Sequence, residues 1–190
     1  KGIFTIKPGM VASKSDPING TERAEIGVRI PENHRIFMSY DVKLASYNVS
    51  PIALRFMISQ IKMESNPSKS PSVAVYINSG GKIKCVEYSK SASRGMLQHQ
   101  NSVLLPNGAL DDGEWHTVET ELLMDENNGY CKVTIDGKVQ IEKRGHRTMP
   151  YSPKNKDFYA RIGPYRDKAQ SEIIILYDNW SIKTQPIDGD

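Results

Sequence analysis

Apolar residues in this chain recur at every second position, and no window of a dozen residues carries an apolar stripe of helical period. A core made of helices is therefore excluded. Alternating runs fall at 22–30, 34–46, 53–64, 72–79, 82–89, 114–124, 130–136, 138–143, 158–165 and 172–183, separated by Gly, Pro, Asn and Asp. About ten strands within one chain predict an all-β fold, a β-jelly roll sandwich of two antiparallel sheets with a concave cleft. At 190 residues the chain has length for one well-buried core but is short for two, so residues 1–190 are expected to form a single domain.

The clearest hairpin runs from Tyr130 to Ile141, where Asp136-Gly137 separates two alternating runs and offers the positive φ angles of a type I′ turn. Ser79-Gly80-Gly81 predicts a second turn. The stretches Met63 to Ser72, Ser89 to Ser102 and Gly145 to Asp157 are rich in Ser, Asn, Lys and Pro, and are expected as surface loops at the sheet margins. Loops of that length on a rigid sandwich often border a ligand cleft.

With 25 Lys and Arg against 22 Asp and Glu, the net charge is +3, too slight to draw a nucleic acid by bulk electrostatics. Any anion site must be local. No apolar run reaches the roughly 20 residues that cross a bilayer, and Lys1 follows no initiator Met or signal region, as in a trimmed mature chain. A secreted or periplasmic protein, acting as a monomer, is expected. Cys85 and Cys131 form neither a Cys-x-x-Cys pair nor a cluster with the four His, so they read either as two strand residues or as one disulfide. No metal site is expected.

Strand parity gathers polar side chains. In 53–64, Gln60 and Lys62 share a face; in 22–30, Arg23, Glu25 and Gly27 do; in 158–165, Tyr159, Arg161, Gly163 and Tyr165 do. If these faces line one concave sheet, they make a channel of Arg, Gln, Lys and Tyr. Such a channel suits an acidic sugar chain and contains no nucleotide loop, so no cofactor is expected.

Three segments carry a family resemblance: Arg23-Ala24-Glu25-Ile26-Gly27, Gln60-Ile61-Lys62 and Tyr159-Ala160-Arg161-Ile162-Gly163-Pro164-Tyr165. In order and separation they resemble the Arg-x-Glu-Leu/Val-Arg, Gln-Ile/Val-His and Tyr-Phe-Lys-Ala-Gly-x-Tyr strands of the jelly-roll polysaccharide lyases. That clan includes family 7 alginate lyases, glucuronan lyases and the heparin lyase I type. Asp112-Gly113-Glu114-Trp115-His116, the run Gly129 to Lys138 and the closing Ile175 to Trp180 resemble the clan's scaffold, so that the likeness spans about 20 to 185. There are departures. Gly27 replaces the second Arg of the first motif, with Arg29 one step further on the same face; Lys62 replaces the His, and Arg161 the Lys.

The resemblance implies a polysaccharide lyase that cleaves a uronate-containing acidic polysaccharide, alginate, glucuronan or a relative, by β-elimination. Such chemistry needs a carboxylate clamp, a base for the C5 proton and an acid for the departing O4. The implied clamp is Arg23 with Gln60. Tyr165 is the implied proton donor, and the base as well if both groups leave from one face. Lys62 stands where the family His stands, as a fixed cation or a base of depressed pKa. Tyr159, Arg161, Glu25, Arg29 and His99 are the expected substrate contacts, with Glu25 orienting Arg23, Tyr159 stacking on sugar and His99 overhanging from a loop. His34, His116 and His146 are further candidate bases, His116 within the Trp-His scaffold.

Two rival readings exist. Glycoside hydrolysis would need paired carboxylates, yet a Glu-x-Asp-x-x-Glu arrangement is absent and Glu119 with Glu121 lies in a scaffold strand. A non-catalytic module on the same sandwich would bind acidic carbohydrate with the same Arg, Lys and Tyr residues.

Overall fold

Period-two alternation becomes strands because each run can then bury one face. A computed structural model describes residues 1–12, 14, 16–31, 34–47, 56–63, 71–77, 82–90, 97–109, 113–148, 158–169 and 171–187, with backbone alone at 19, 47, 82–90 and 97–109. In chain order these form β1 (Gly2–Ile6), α1 (Asp16–Asn19), β2 (Thr21–Arg23), β3 (Ile26–Ile30), β4 (His34–Tyr47), β5 (Phe56–Met63) and β6 (Val73–Ile77). There follow β7 (Lys82–Lys90), β8 (Leu97–Ala109), β9 (His116–Leu123), β10 (Gly129–Ile135), β11 (Lys138–His146), β12 (Phe158–Asp167) and β13 (Ile173–Pro186).

They assemble into two antiparallel sheets, the jelly roll expected from the pattern. Sheet A has the order β1-β13-β4-β9-β10-β11. Sheet B has the order β2-β12-β5-β6-β7-β8, and β3 also pairs with β12. In β4 the alternation is complete: Ile36, Met38, Tyr40, Val42 and Leu44 are buried while the residues between them are partly exposed. They meet Ile58, Ile61, Met63, Val73, Val75, Phe158, Ala160 and Ile162 of sheet B in one core. Burying each such aliphatic side chain stabilises the fold by about 1.5–3 kcal/mol.

The Asp136-Gly137 turn has φ of 50° at Asp136 and 71° at Gly137, the two positive values of a type I′ hairpin. The Asp136 side chain is tied down by the neighbouring strand β9: Thr117 N donates to Oδ1 at 2.9 Å, and His116 Nδ1 lies 2.8 Å from Oδ2. His116 therefore serves the scaffold of sheet A.

Several expectations are corrected. The run 22–30 is two short strands with a break at Ala24 and Glu25, where Ala24 N donates instead to Pro164 O at 2.9 Å. The segment read as a loop at 89–102 is largely strand: β7 reaches Lys90 and β8 begins at Leu97, so His99 is a strand residue paired with Tyr88. An edge strand needs ladder bonds on one side only, so a polar, irregular sequence containing Pro106 can still form one. Gly145 and His146 close β11 and are not loop. Strand β1 and helix α1 had no counterpart in the sequence reading. Both cysteines are strand residues, Cys85 in β7 and Cys131 in β10, where Cys131 is buried in the core. Residues 64–70, 79–81 and 149–157 of the remaining expected loops and turn lie outside the described residues.

Candidate active site

Sheet B carries the candidate residues on the face turned away from the core. Antiparallel register sets them in cross-strand rows, because directly paired residues project to the same side. Arg29, Tyr159 and Lys62 form one row across β3, β12 and β5. Gly27, Arg161, Gln60 and Ala74 form the next. Arg23, Tyr165, Met57 and Tyr76 form a third.

The third row reaches this face through two bulges. Between Ile162 and Tyr165, β12 spends three residues against two of β5, and β5 is itself irregular between Met57 and Ser59 against β6. An extra residue re-aims the side chains beyond it. Tyr165 consequently packs with Met57, Ala74 and Tyr76, apart from the main core. The bulge carbonyl and hydroxyl are taken up from sheet A: Tyr177 donates its hydroxyl to Ile58 O at 2.9 Å, and Tyr40 donates to Ser59 Oγ at 2.6 Å. Burial pushes the Tyr177 phenol well above its usual range, so it stays a donor.

At the break between β2 and β3, Glu25 is drawn in as the hub of the site. Its side chain is only 4% exposed. Gln60 Nε2 donates to Glu25 Oε1 at 2.6 Å, while Arg23 Nη1 and Arg161 Nη1 lie 3.5 and 4.0 Å from Oε2. Burial raises the Glu25 pKa, opposed by the Gln60 hydrogen bond and by the charges of Arg23, Arg161 and Lys62. The Arg23 guanidinium stacks 4.5 Å from the Tyr165 ring centroid, and that of Arg161 lies 5.5 Å from the Tyr159 ring centroid. Gly27 makes room for this: a Cβ there would lie 2.9 Å from Arg161 Cγ.

Three charged residues central to the arrangement were missed from the sequence. Asp16 of α1 is fully buried and grips Arg23, accepting from Nε at 2.7 Å and Nη2 at 2.5 Å on Oδ1. Behind the Arg23–Tyr165 pair, on the core side, the next register pair is Glu22–Arg166. Arg166 Nε donates to Glu22 Oε2 at 2.8 Å, and Gly9 N donates to Glu22 Oε1 at 2.5 Å. Removing one partner of so buried a pair costs about 3–5 kcal/mol. The available signal was opposite charges at core-facing positions of two strands, each adjacent to a motif residue. His99 stands apart from this cluster, on the far edge strand three strands from β5.

A cavity of about 370 Å³ lies elsewhere, on the outer face of sheet A between Phe37, Ser39, Glu119, Lys132, Ser181 and Lys183. Glu119 and Glu121 thus lie on the sheet opposite the cluster.

The chain belongs to the polysaccharide lyase family, whose model matches residues 4–181. Among solved structures it is similar to an endo-β-1,4-glucuronan lyase from the fungus Trichoderma reesei, at 17% identity and TM-score 0.66, over 97% of this chain and 83% of that one. It is also similar to alginate lyase AlyC3 in complex with dimannuronate, at 12% identity and TM-score 0.65, over 98% and 75% of the two chains. Alginate lyase Aly36B matches at 12% identity and TM-score 0.62, over 98% and 82%. No curated protein matches the chain significantly.

Proposed function

We propose that this polysaccharide lyase cleaves a uronate-containing acidic polysaccharide by β-elimination on the outer face of sheet B. The observation that carries the reading is the Glu25-centred cluster, in which Gln60, Arg23 and Arg161 converge on one carboxylate beside Tyr165. Four cationic side chains, Arg23, Arg29, Lys62 and Arg161, share this face of sheet B around Glu25, a setting suited to an acidic sugar. The glucuronan and alginate lyases of the same fold act on uronate polymers, which sets the substrate class to test first.

In the proposed reaction the uronate carboxylate lies against Gln60, Arg161 and Lys62, whose N–H groups and charge stabilise the enolate-like intermediate. Arg23 is already committed to Asp16 and Glu25, and its part is to hold positive charge over the Tyr165 ring. The base removes the C5 proton, the C4–O4 bond breaks, a C4–C5 double bond forms and an acid protonates O4. Tyr165 is assigned as the acid, and as the base where both groups leave from one side. Tyr159, held by Arg161, offers a ring for sugar stacking.

The test is ultraviolet absorbance of the conjugated unsaturated uronate during incubation with alginate, glucuronan and other uronate polymers. Rising absorbance on one of them supports the reading. Silence across the panel would overturn it, and silence with retained binding would select a non-catalytic acidic-glycan module.

A further inference from the structure

We propose that Asp16 is a positioning residue of the active site, acting through Arg23. This rests on the proposed function for its catalytic consequence, but its geometry stands independently. Asp16 comes from the one-turn α1, outside both sheets, and is fully buried. Its Oδ1 accepts two bonds from one edge of the Arg23 guanidinium, at 2.7 and 2.5 Å, and Thr21 Oγ1 approaches the same oxygen at 3.4 Å. Its Oδ2 accepts from Ala12 N at 3.1 Å, which fixes the carboxylate to the N-terminal segment. Nε and Nη2 of Arg23 are thereby held on Asp16, Nη1 is left 3.5 Å from Glu25 Oε2, and Cζ lies over the Tyr165 ring, 4.5 Å from its centroid.

Without that grip, Glu25 is the remaining carboxylate that pairs with Arg23 among the described residues. The fork would turn to engage Glu25 through two nitrogens, a geometry favoured between guanidinium and carboxylate. It would leave the Tyr165 ring and compete with Gln60 for Glu25. A displacement on the order of 1 Å at a catalytic group costs up to about 10²-fold in rate.

The experiment is a double-mutant cycle with Asp16→Asn and Arg23→Gln. Asp16→Asn is expected to lower kcat at least about tenfold with a smaller change in KM. The double variant should be no slower than Arg23→Gln alone, since residues acting through one contact are not additive. Asp16→Glu keeps the charge, lengthens the arm by one methylene and replaces Asp16→Asn in the cycle should that variant not fold. Ring resonances of Tyr165, assigned by their loss in Tyr165→Phe, should shift in either Asp16 variant whether or not turnover is detected. Losses that multiply in the double variant, or unshifted Tyr165 resonances, overturn the proposal. A wild-type protein inactive on every polymer, with the resonance shift still seen in the Asp16 variants, would instead refute the lyase chemistry alone.

Discussion

Replacing Gly163 by Ala should cripple the site as well as weaken the fold. Gly163 lies in the β12 bulge with φ of 119°, a conformation that costs a side-chain-bearing residue about 1–3 kcal/mol. An added Cβ would lie near Ala24 O and 2.9 Å from Glu25 Cα. Both neighbours are backbone, so no rotamer change can relieve the overlap, and overpacking of this kind adds about 1–3 kcal/mol. The sum, about 2–6 kcal/mol, is a large part of a typical stability of about 5–15 kcal/mol. At roughly 2–4 °C per kcal/mol for a chain of this size, Tm should fall by roughly 4–24 °C. To regain ordinary contact the Ala24–Glu25 backbone must retreat by on the order of 1 Å, carrying Glu25 and Arg23 with it, at a cost near 10²-fold in rate. Thermal melting and elimination assays on the folded variant measure both effects. Gly113→Ala is the control, since φ is 77° there but nothing lies within 4 Å, so only the strain should register. A Gly163→Ala protein that melts within about 2 °C of wild type and turns over normally would refute the reasoning.

Tyr165→Phe should abolish most elimination, by about 10²- to 10⁴-fold, while retaining polymer binding, and Tyr159→Phe should be the milder change; near-native turnover in Tyr165→Phe would reassign the acid. Burial raises the Glu25 pKa, so the native state favours the protonated carboxyl and the stability tied to that proton is lost as pH rises through the raised value. Glu25→Gln should then melt above wild type at neutral pH, with the gap closing as pH falls from the raised Glu25 value to the ordinary carboxylate value; a gap that widens on acidification would contradict this. Affinity for an acidic polymer should fall as salt is raised from about 0.05 to about 0.5 M, because Lys62, Arg161 and Arg29 attract through charge that the Debye atmosphere screens, and titration by calorimetry at several salt concentrations checks it.

Much of the scaffold was legible because alternation is a local property. A strand such as 34–46 must bury Ile36, Met38, Tyr40 and Val42 together, and Asp136-Gly137 can hardly be other than a tight turn. What resisted reading were the elements whose stability comes from a neighbour. Strand β8 is polar and contains Pro106, and its ladder with β7 makes it a strand. Strand β1 owes its place to pairing with β13, at the other end of the chain.

The sequence by itself determined the two-sheet sandwich, the grouping of Gln60 with Lys62 and of Tyr159 with Arg161, and the residue types that the polysaccharide lyase family uses. Only the tertiary structure decided that Arg23 is held between Asp16 and Glu25, that Gly27 is open so that Arg161 can cross it, and that the Gly163 bulge turns Tyr165 away from the core. The reason is physical. Parity along one strand follows from covalent geometry, whereas an ion pair such as Glu22–Arg166, 144 residues apart in the chain, exists only after both strands have paired and water has been driven from between them.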